Sequence, residues 1–316
     1  MPAAGRLDRY YTPFLIPPRV GHPFASRYAR ELCQEGDRDL DVVPQLLTKD
    51  ADEFVWVAGL LAEMGYAEVN LNVGCPSGTV TGKGRGAGLL RDLPALEALL
   101  QDVCERSPLP VSVKTRIGFA SDDEFDEILA LYCRLPLAEL IVHPRVREDY
   151  YRGAVRREAY GEALARAPFP VAYNGDIFSA GDFASLVAAF PQTRHVMLGR
   201  GLVGNPALAC MIGGGPAASM PELERFHDEL YGAYEAEMGG NAVFRMKEWW
   251  SYAKGLFANP RAIERAMRKV RKAAEYEAVA SKVFRCEGAR VPSPLAGGAR
   301  PCSRPLVARV CRKATG

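Results

Sequence analysis

No two of the eight cysteines stand in a C-x-x-C spacing; they are scattered from Cys33 to Cys311. Zinc knuckles and iron–sulfur clusters take their ligands from such close pairs, so no metal is expected. No apolar run approaches the ~18–20 residues that span a bilayer, so no membrane association is expected either. Residues 1–10 carry Arg6, Asp8 and Arg9 with no apolar segment behind them, which argues against a secretory signal. Scattered thiols in a chain of 316 residues suit the reducing cytoplasm, and a monomer is expected. Net charge is also small, at +2, but it conceals an asymmetry. Residues 241–316 hold 17 Lys/Arg against 5 Asp/Glu, a balance of +12, whereas the first 240 hold 23 and 33, a balance of −10. Such segregation hints at a polyanionic partner for the C-terminal part; a solvated basic surface is the plainer reading.

What is present is an alternating pattern. Apolar, β-branched stretches predict strands at 11–16, 42–47, 68–73, 111–116, 140–143, 171–174 and 196–198. Helices are predicted between them at 50–64, 93–105, 122–135, 157–165 and 180–190, with Thr48 or Asp50 capping the first and Ser121 the third. Repeated strand–helix units with near-continuous apolar strands indicate a parallel sheet with helices outside. Side chains alternate along a strand, so Ser112, Lys114 and Arg116 share one face, as do Asn70 and Asn72. His143 and Asn174 sit at C-terminal strand ends. Polar groups at the ends of many successive strands favour an α/β fold of the (β/α)8 TIM-barrel type over an open sheet, which gathers its ligands at one switch point. Residues 1–215 are thus read as a barrel domain. Residues 216–286 read as a small all-helical domain with helices at 221–237, 242–257 and 260–284, and the Gly-, Pro-, Arg- and Ser-rich stretch 287–316 as a disordered tail.

The most informative stretch is Asn70-Leu71-Asn72-Val73-Gly74-Cys75-Pro76-Ser77. A strand ends there in a Gly-Cys-Pro turn, which places the Cys75 thiol at the mouth on a Gly-rich, flexible loop running to Gly88. An exposed thiol so placed could act as nucleophile, metal ligand or proton donor. Alone, a single cysteine is more often a small buried hydrophobe. Lys114 at a strand end could equally be a Schiff-base lysine of a barrel lyase.

Asn72-Val-Gly-Cys-Pro-Ser77 resembles the active-site signature of the tRNA-dihydrouridine synthases. Further segments match the same family in order: Val43-Pro44-Gln45, Val113–Gly118, Val142-His143-Pro144-Arg145, Asn174–Ile177, Gly199-Arg200-Gly201 and the helical stretch from Phe244 to Trp249. The resemblance covers roughly residues 10–286 and implies an FMN-dependent enzyme that uses NADPH to reduce the C5=C6 bond of uridine in tRNA. In that scheme Cys75 protonates C5. Lys114 lies by the flavin N1/O2 edge, Gln45 bonds the pyrimidine edge, and His143 is a further flavin contact. Asn174, Gly175, Asp176, Gly199 and Arg200 follow the last two strands, where barrels commonly bind phosphate. Asn72, Lys83, Arg85 and Arg116 are expected at the substrate or RNA.

On a single helix through 261–272, Arg261, Arg265, Arg268 and Lys272 would form one outward stripe for tRNA phosphates, opposite Ile263, Met267, Val270 and Ala274. Two rivals remain: a flavin barrel acting on a small pyrimidine or enone, and an inactive, truncated RNA-binding remnant. The latter arises because only seven strands precede the helical region, while a (β/α)8 barrel requires eight. The family's opening β/α unit has no counterpart in residues 1–10, so open sheet edges and an incomplete flavin pocket are expected.

Overall fold

The computed structural model describes residues 7–24, 28, 32, 40–286 and 307–311. Seven strands come from the first part of the chain: β1 (Arg9–Leu15), β2 (Val42–Leu46), β3 (Val69–Val73), β4 (Val111–Arg116), β5 (Glu139–His143), β6 (Val171–Tyr173) and β7 (His195–Leu198). Each pairs in parallel with the next, and each falls within a residue or two of its predicted span. Their apolar residues alternate between the barrel interior and a layer under the outer helices. Val69, Leu71 and Val73 are all fully buried, facing the opposite way from Asn70 and Asn72.

The outer layer forms where the pattern switches to helical spacing. α1 (Ala51–Glu63) buries Phe54, Val57, Ala58 and Leu61, spaced three, one and three residues apart. Asp50 caps it by accepting from the Glu53 amide at 2.9 Å, while Thr48 donates to the Glu53 carboxylate at 2.7 Å. Burying Phe54 and Leu61 completely stabilises the fold by about 1.5–3 kcal/mol each. α2 (Leu93–Arg106) seats Leu96, Leu99, Leu100 and Val103 in the same manner. Ser121 forms a capping box with Glu124 ahead of α3 (Phe125–Cys133). α4 (Arg157–Arg166) and α5 (Ala180–Ala189) follow in the expected places.

The eighth position of the barrel is filled from the far end of the chain. β8 (Val307–Cys311) pairs in parallel with β7 (His195↔Val307 to Leu198↔Val310) and with β1 (Arg9↔Arg309 to Tyr11↔Cys311). The sheet is therefore a closed barrel in the order β1 to β8. This corrects two expectations: the edges of β1 and β7 are not open, and residues 307–311 are strand. The rest of the expected tail lies outside the described residues.

Two compact units divide the chain. The barrel unit comprises Leu7–Gly175, Val187–Leu198 and β8, and the helical unit takes in Asp176–Leu186 and the chain from Gly199 to the end of its last helix. The change of unit falls at Gly199, earlier than the boundary expected at 215. The helical unit contains α6 (Met220–Met238), α7 (Ala242–Ala253), α8 (Pro260–Lys269) and α9 (Ala273–Cys286). Its core joins Trp249, Trp250, Phe257, Tyr276 and Phe284 to Met246, Ile263 and Met267. The single helix expected over 260–284 is two, because Glu275 accepts from the Arg271 amide at 2.8 Å and starts α9 afresh.

Candidate active site

Within the barrel unit, alternation along parallel strands sorts inward side chains into layers. Tyr11, Val43, Ile141, Ala172 and Met197 form a buried apolar layer. Two residues further along their strands stand Gln45, His143 and Asn174, together with Asn72 and Lys114 from β3 and β4, whose backbones are in register. Below the apolar layer the strand starts carry a polar floor. There Glu139 accepts from Tyr11 Oη at 3.0 Å and lies 2.6 Å from His195 Nδ1, and Arg9 pairs with Glu68 and Asp41. Floor polarity of this kind holds the barrel together; the upper layer opens toward the strand ends, where barrels do chemistry.

The upper layer is organised by amides. Gln45 Nε2 donates to Asn70 Oδ1 at 2.8 Å, Asn72 Nδ2 donates to Gln45 Oε1 at 2.7 Å, and Asn70 donates to Ser112 at 2.9 Å. Gln45 is buried, and this chain leaves it one amide hydrogen and one lone pair for any further partner. Asn72 does a second job. Its Oδ1 accepts from the backbone N–H of Gly74 at 3.0 Å and of Cys75 at 2.8 Å, which fixes the turn that presents the half-buried thiol. Asn72, expected at the substrate or RNA, is thus built into the turn that carries the thiol.

The loop after Cys75, expected to be flexible, carries regular turns. A helical turn spans Gly78–Thr81, a 3-10 turn spans Gly86–Arg91, and Ala87 N–H returns to Cys75 O at 3.1 Å. Its glycines serve close packing. A Cβ on Gly86 would meet Cys75 Cβ and O at 2.9 Å, with φ at +57° besides, and one on Gly88 would meet Thr81 O at 2.8 Å.

Arg116 is 1% exposed and ties the loops together. Its Nε donates to Gly74 O at 2.9 Å, its Nη1 to Val146 O at 2.8 Å and its Nη2 to Tyr150 O at 2.6 Å. Burial pulls its pKa below the ordinary arginine value, and neighbouring Arg145 acts in the same direction. Arg116, expected at the substrate or RNA, is thus also a strut, with its donors turned onto loop carbonyls. Arg145, given no role by the sequence, is a second strut: it donates to Gly153 O at 2.6 Å and lies 3.3 Å from His143 Nε2. Sequence reading also passed over Tyr150 and Tyr151, both over 40% exposed on the loop after β5. Tandem tyrosines in an otherwise polar strand-end loop were the available signal.

The remaining expected contacts are divided between the two units. Asn174 donates to Met197 O at 2.9 Å. Gly175 packs closely on Tyr173, a Cβ there meeting Tyr173 Oη at 3.1 Å. Asp176, Gly199 and Arg200 belong to the helical unit, where Arg200 is ion-paired with Asp176 at 2.7 Å. Lys83 is exposed, while Arg85 is drawn toward Glu53 at 3.8 Å. On α8, Arg261, Arg265 and Arg268 are exposed opposite buried Ile263 and Met267, as expected. Lys272 is exposed but lies between α8 and α9, and Ala274 is exposed rather than packed, since the helix breaks before both.

A closed parallel barrel whose strand ends gather a held thiol, a lysine, an imidazole and a set of amides belongs to the barrel enzymes that build their sites at that face. Residues 7–292 match the family model described as dihydrouridine synthase (Dus), and the chain belongs to that family. It is similar to the tRNA-dihydrouridine(16) synthase of Shigella flexneri, 34% identical over 217 residues, which are 67% of this chain and 66% of that one. It is also similar to a probable tRNA-dihydrouridine synthase of Rhodobacter capsulatus, 32% identical over 61% of this chain and 60% of the relative. With the probable tRNA-dihydrouridine synthase 2 of Bacillus subtilis it shares 28% identity over 74% and 73% of the two chains. The match to the Shigella protein spans 66% of its length, just under two thirds.

Proposed function

We propose that this protein reduces the C5=C6 bond of uridines in tRNA, with FMN as mediating cofactor and NADPH as reductant. The observation that carries the proposal is the Cys75 thiol, held at the barrel mouth by two backbone bonds to Asn72 Oδ1. The donor set of the upper layer suits a flavin. Gln45, Asn72, Lys114, His143 and Asn174 are amides, an ammonium and an imidazole, with no carboxylate among them. A flavin's pyrimidine edge gains negative charge on reduction and calls for donors and a cation of this sort.

FMN, when bound, supplies the two-electron reduction of the uracil ring. Lys114 would stand at the flavin's pyrimidine edge, where a cation suits the negative charge gained on reduction. Cys75 gives a proton to C5 from the side of the turn, a task that needs the acid fixed in place rather than mobile. Arg116 keeps the turn in register with the loop after β5 through Gly74, Val146 and Tyr150. The uridine must leave its stack to reach such a mouth, and exposed Tyr151 offers a ring beside it. Because Cys75 works as a thiol, a reducing cytoplasmic setting fits the chemistry, and the catalytic set comes from a single barrel, which fits a monomer. Mass spectrometry of tRNA nucleosides from a strain lacking the gene tests the reading. Loss of dihydrouridine, restored by the intact gene, supports it; an unaltered nucleoside profile would sink it.

A further inference from the structure

Three loops that leave the neighbouring strands β3, β4 and β5 bring two arginines onto aromatic rings beside the Cys75 loop. Arg91 Cζ lies 4.0 Å from the ring centroid of Phe119. Arg147 Cζ lies 5.2 Å from the same ring and 5.0 Å from that of Tyr150. Such cation–π contacts fix where the guanidiniums stand without neutralising them. The brace is stiff: Arg147 N–H donates to Gly118 O at 2.9 Å, Glu148 N–H to Phe119 O at 3.2 Å, and Arg147 Nη2 to Thr81 Oγ1 at 3.3 Å.

The described arginines of this unit divide between those with an ion pair and those without one, Arg91 and Arg147 being among the latter. Arg9, Arg85, Arg106, Arg134, Arg156 and Arg166 each have a carboxylate within 4 Å. Among the described residues neither Arg91 nor Arg147 has an ion pair, and Arg147 Nε is buried with no hydrogen-bond partner. Two like charges gathered on one ring repel each other, and an N–H taken from water without an acceptor is costly. A tetrahedral anion accepting from the two planar guanidiniums would offset that repulsion.

We propose that Arg91 and Arg147, braced on Phe119 and Tyr150, bind a backbone phosphate of the RNA next to the reacting uridine. The proposal rests on the reading that RNA is the substrate. The site would fix the nucleotide's register beside the Cys75 turn, to which Thr81 connects it, without reading base identity. A nicotinamide dinucleotide carrying a 2′-phosphate is the other source of such an anion, and the experiment separates the two.

The test compares wild-type protein with Arg91→Gln, Arg147→Gln and the double variant, measuring tRNA affinity against salt concentration and the KM for NADPH against NADH. The double variant should flatten the slope of log affinity against log salt by about 0.7–0.9, the share of one phosphate contact. Its affinity should fall several-fold at low salt and its NADPH preference should stay unchanged. Arg91→Gln alone removes an exposed side chain and should give part of the effect in a protein whose loop is intact. An unchanged Cys75 alkylation rate would confirm that integrity. An unchanged salt slope in well-folded variants would overturn the site, as would a loss confined to NADPH. Wild-type protein that binds no tRNA would instead overturn the functional reading, and this site with it.

Discussion

At Cys75 the chemistry and the packing are the same problem. The thiol can serve as an acid only if the turn bearing it holds still, and three groups hold it: Asn72 from below, Arg116 through Gly74 O, and Gly86 by lacking a Cβ. Cys75→Ala removes the proton donor and leaves those supports in place. Its single-turnover rate of dihydrouridine formation should fall about 10²–10⁴-fold while tRNA affinity is retained. Near-normal turnover in that variant would remove Cys75 from the mechanism. The position of this thiol was legible in the sequence because Gly-Cys-Pro directly follows a strand. The close packing of its loop was not. Glycines read as flexible in one dimension, whereas Gly86 and Gly88 are small because Cys75 and Thr81 crowd them in three. The bracing by Arg116 was hidden for a related reason: a strand-end cation can turn onto loop carbonyls, and sequence does not say which way it turns.

Among the elements, α6 and α8 carry testable consequences. On α6, His227 is buried against Tyr276, with its Nε2 2.5 Å from the phenol and its Nδ1 2.8 Å from Asp228. Burial lowers its pKa from the usual 6.5 despite the nearby carboxylate. Unfolding restores the ordinary value, so the unfolded chain takes up a proton first as pH falls. The contribution is therefore complete above about pH 6.5 and is lost as pH drops toward the folded pKa, with a slope of up to about 1.4 kcal/mol per pH unit. Urea melts followed by the fluorescence of Trp249 and Trp250 should show this decline, and His227→Gln should flatten it. A flat wild-type profile would contradict the assignment. On α8, neutralising Arg261, Arg265 and Arg268 should flatten the salt dependence of tRNA binding by up to roughly 0.7–0.9 per lost contact. An unchanged slope would place α8 away from RNA. The seven strands were legible as short, near-continuous apolar runs, and the outer helices by their 3.6-residue period. The start of α9 was hidden, since a glutamate side chain restarts the helix without any Gly or Pro to mark it.

For the whole molecule, the decisive pairing is the one between β8 and its two neighbours. In 287–316 the one apolar run, Leu306–Cys311, is short and set among Gly, Pro and Arg, and what makes it a strand is the pair of edges it joins. Those edges, β1 and β7, are made far earlier in the chain. Ending the chain at Cys286 should leave both edges unpaired and lower the barrel's melting temperature, on the order of 10 °C for a loss of several kcal/mol. Unaltered melting and unchanged amide protection along β1 would mean that β8 does not close the sheet. The central claim, that this barrel reduces uridine in tRNA, meets its most direct test in a reconstituted reaction. Purified protein, FMN and NADPH are mixed with tRNA lacking dihydrouridine, and the digested nucleosides are weighed by mass spectrometry. The account predicts uridine gaining two hydrogens in step with NADPH consumption. NADPH oxidation with no change in any uridine, or no oxidation at all from folded, flavin-loaded protein, would contradict it.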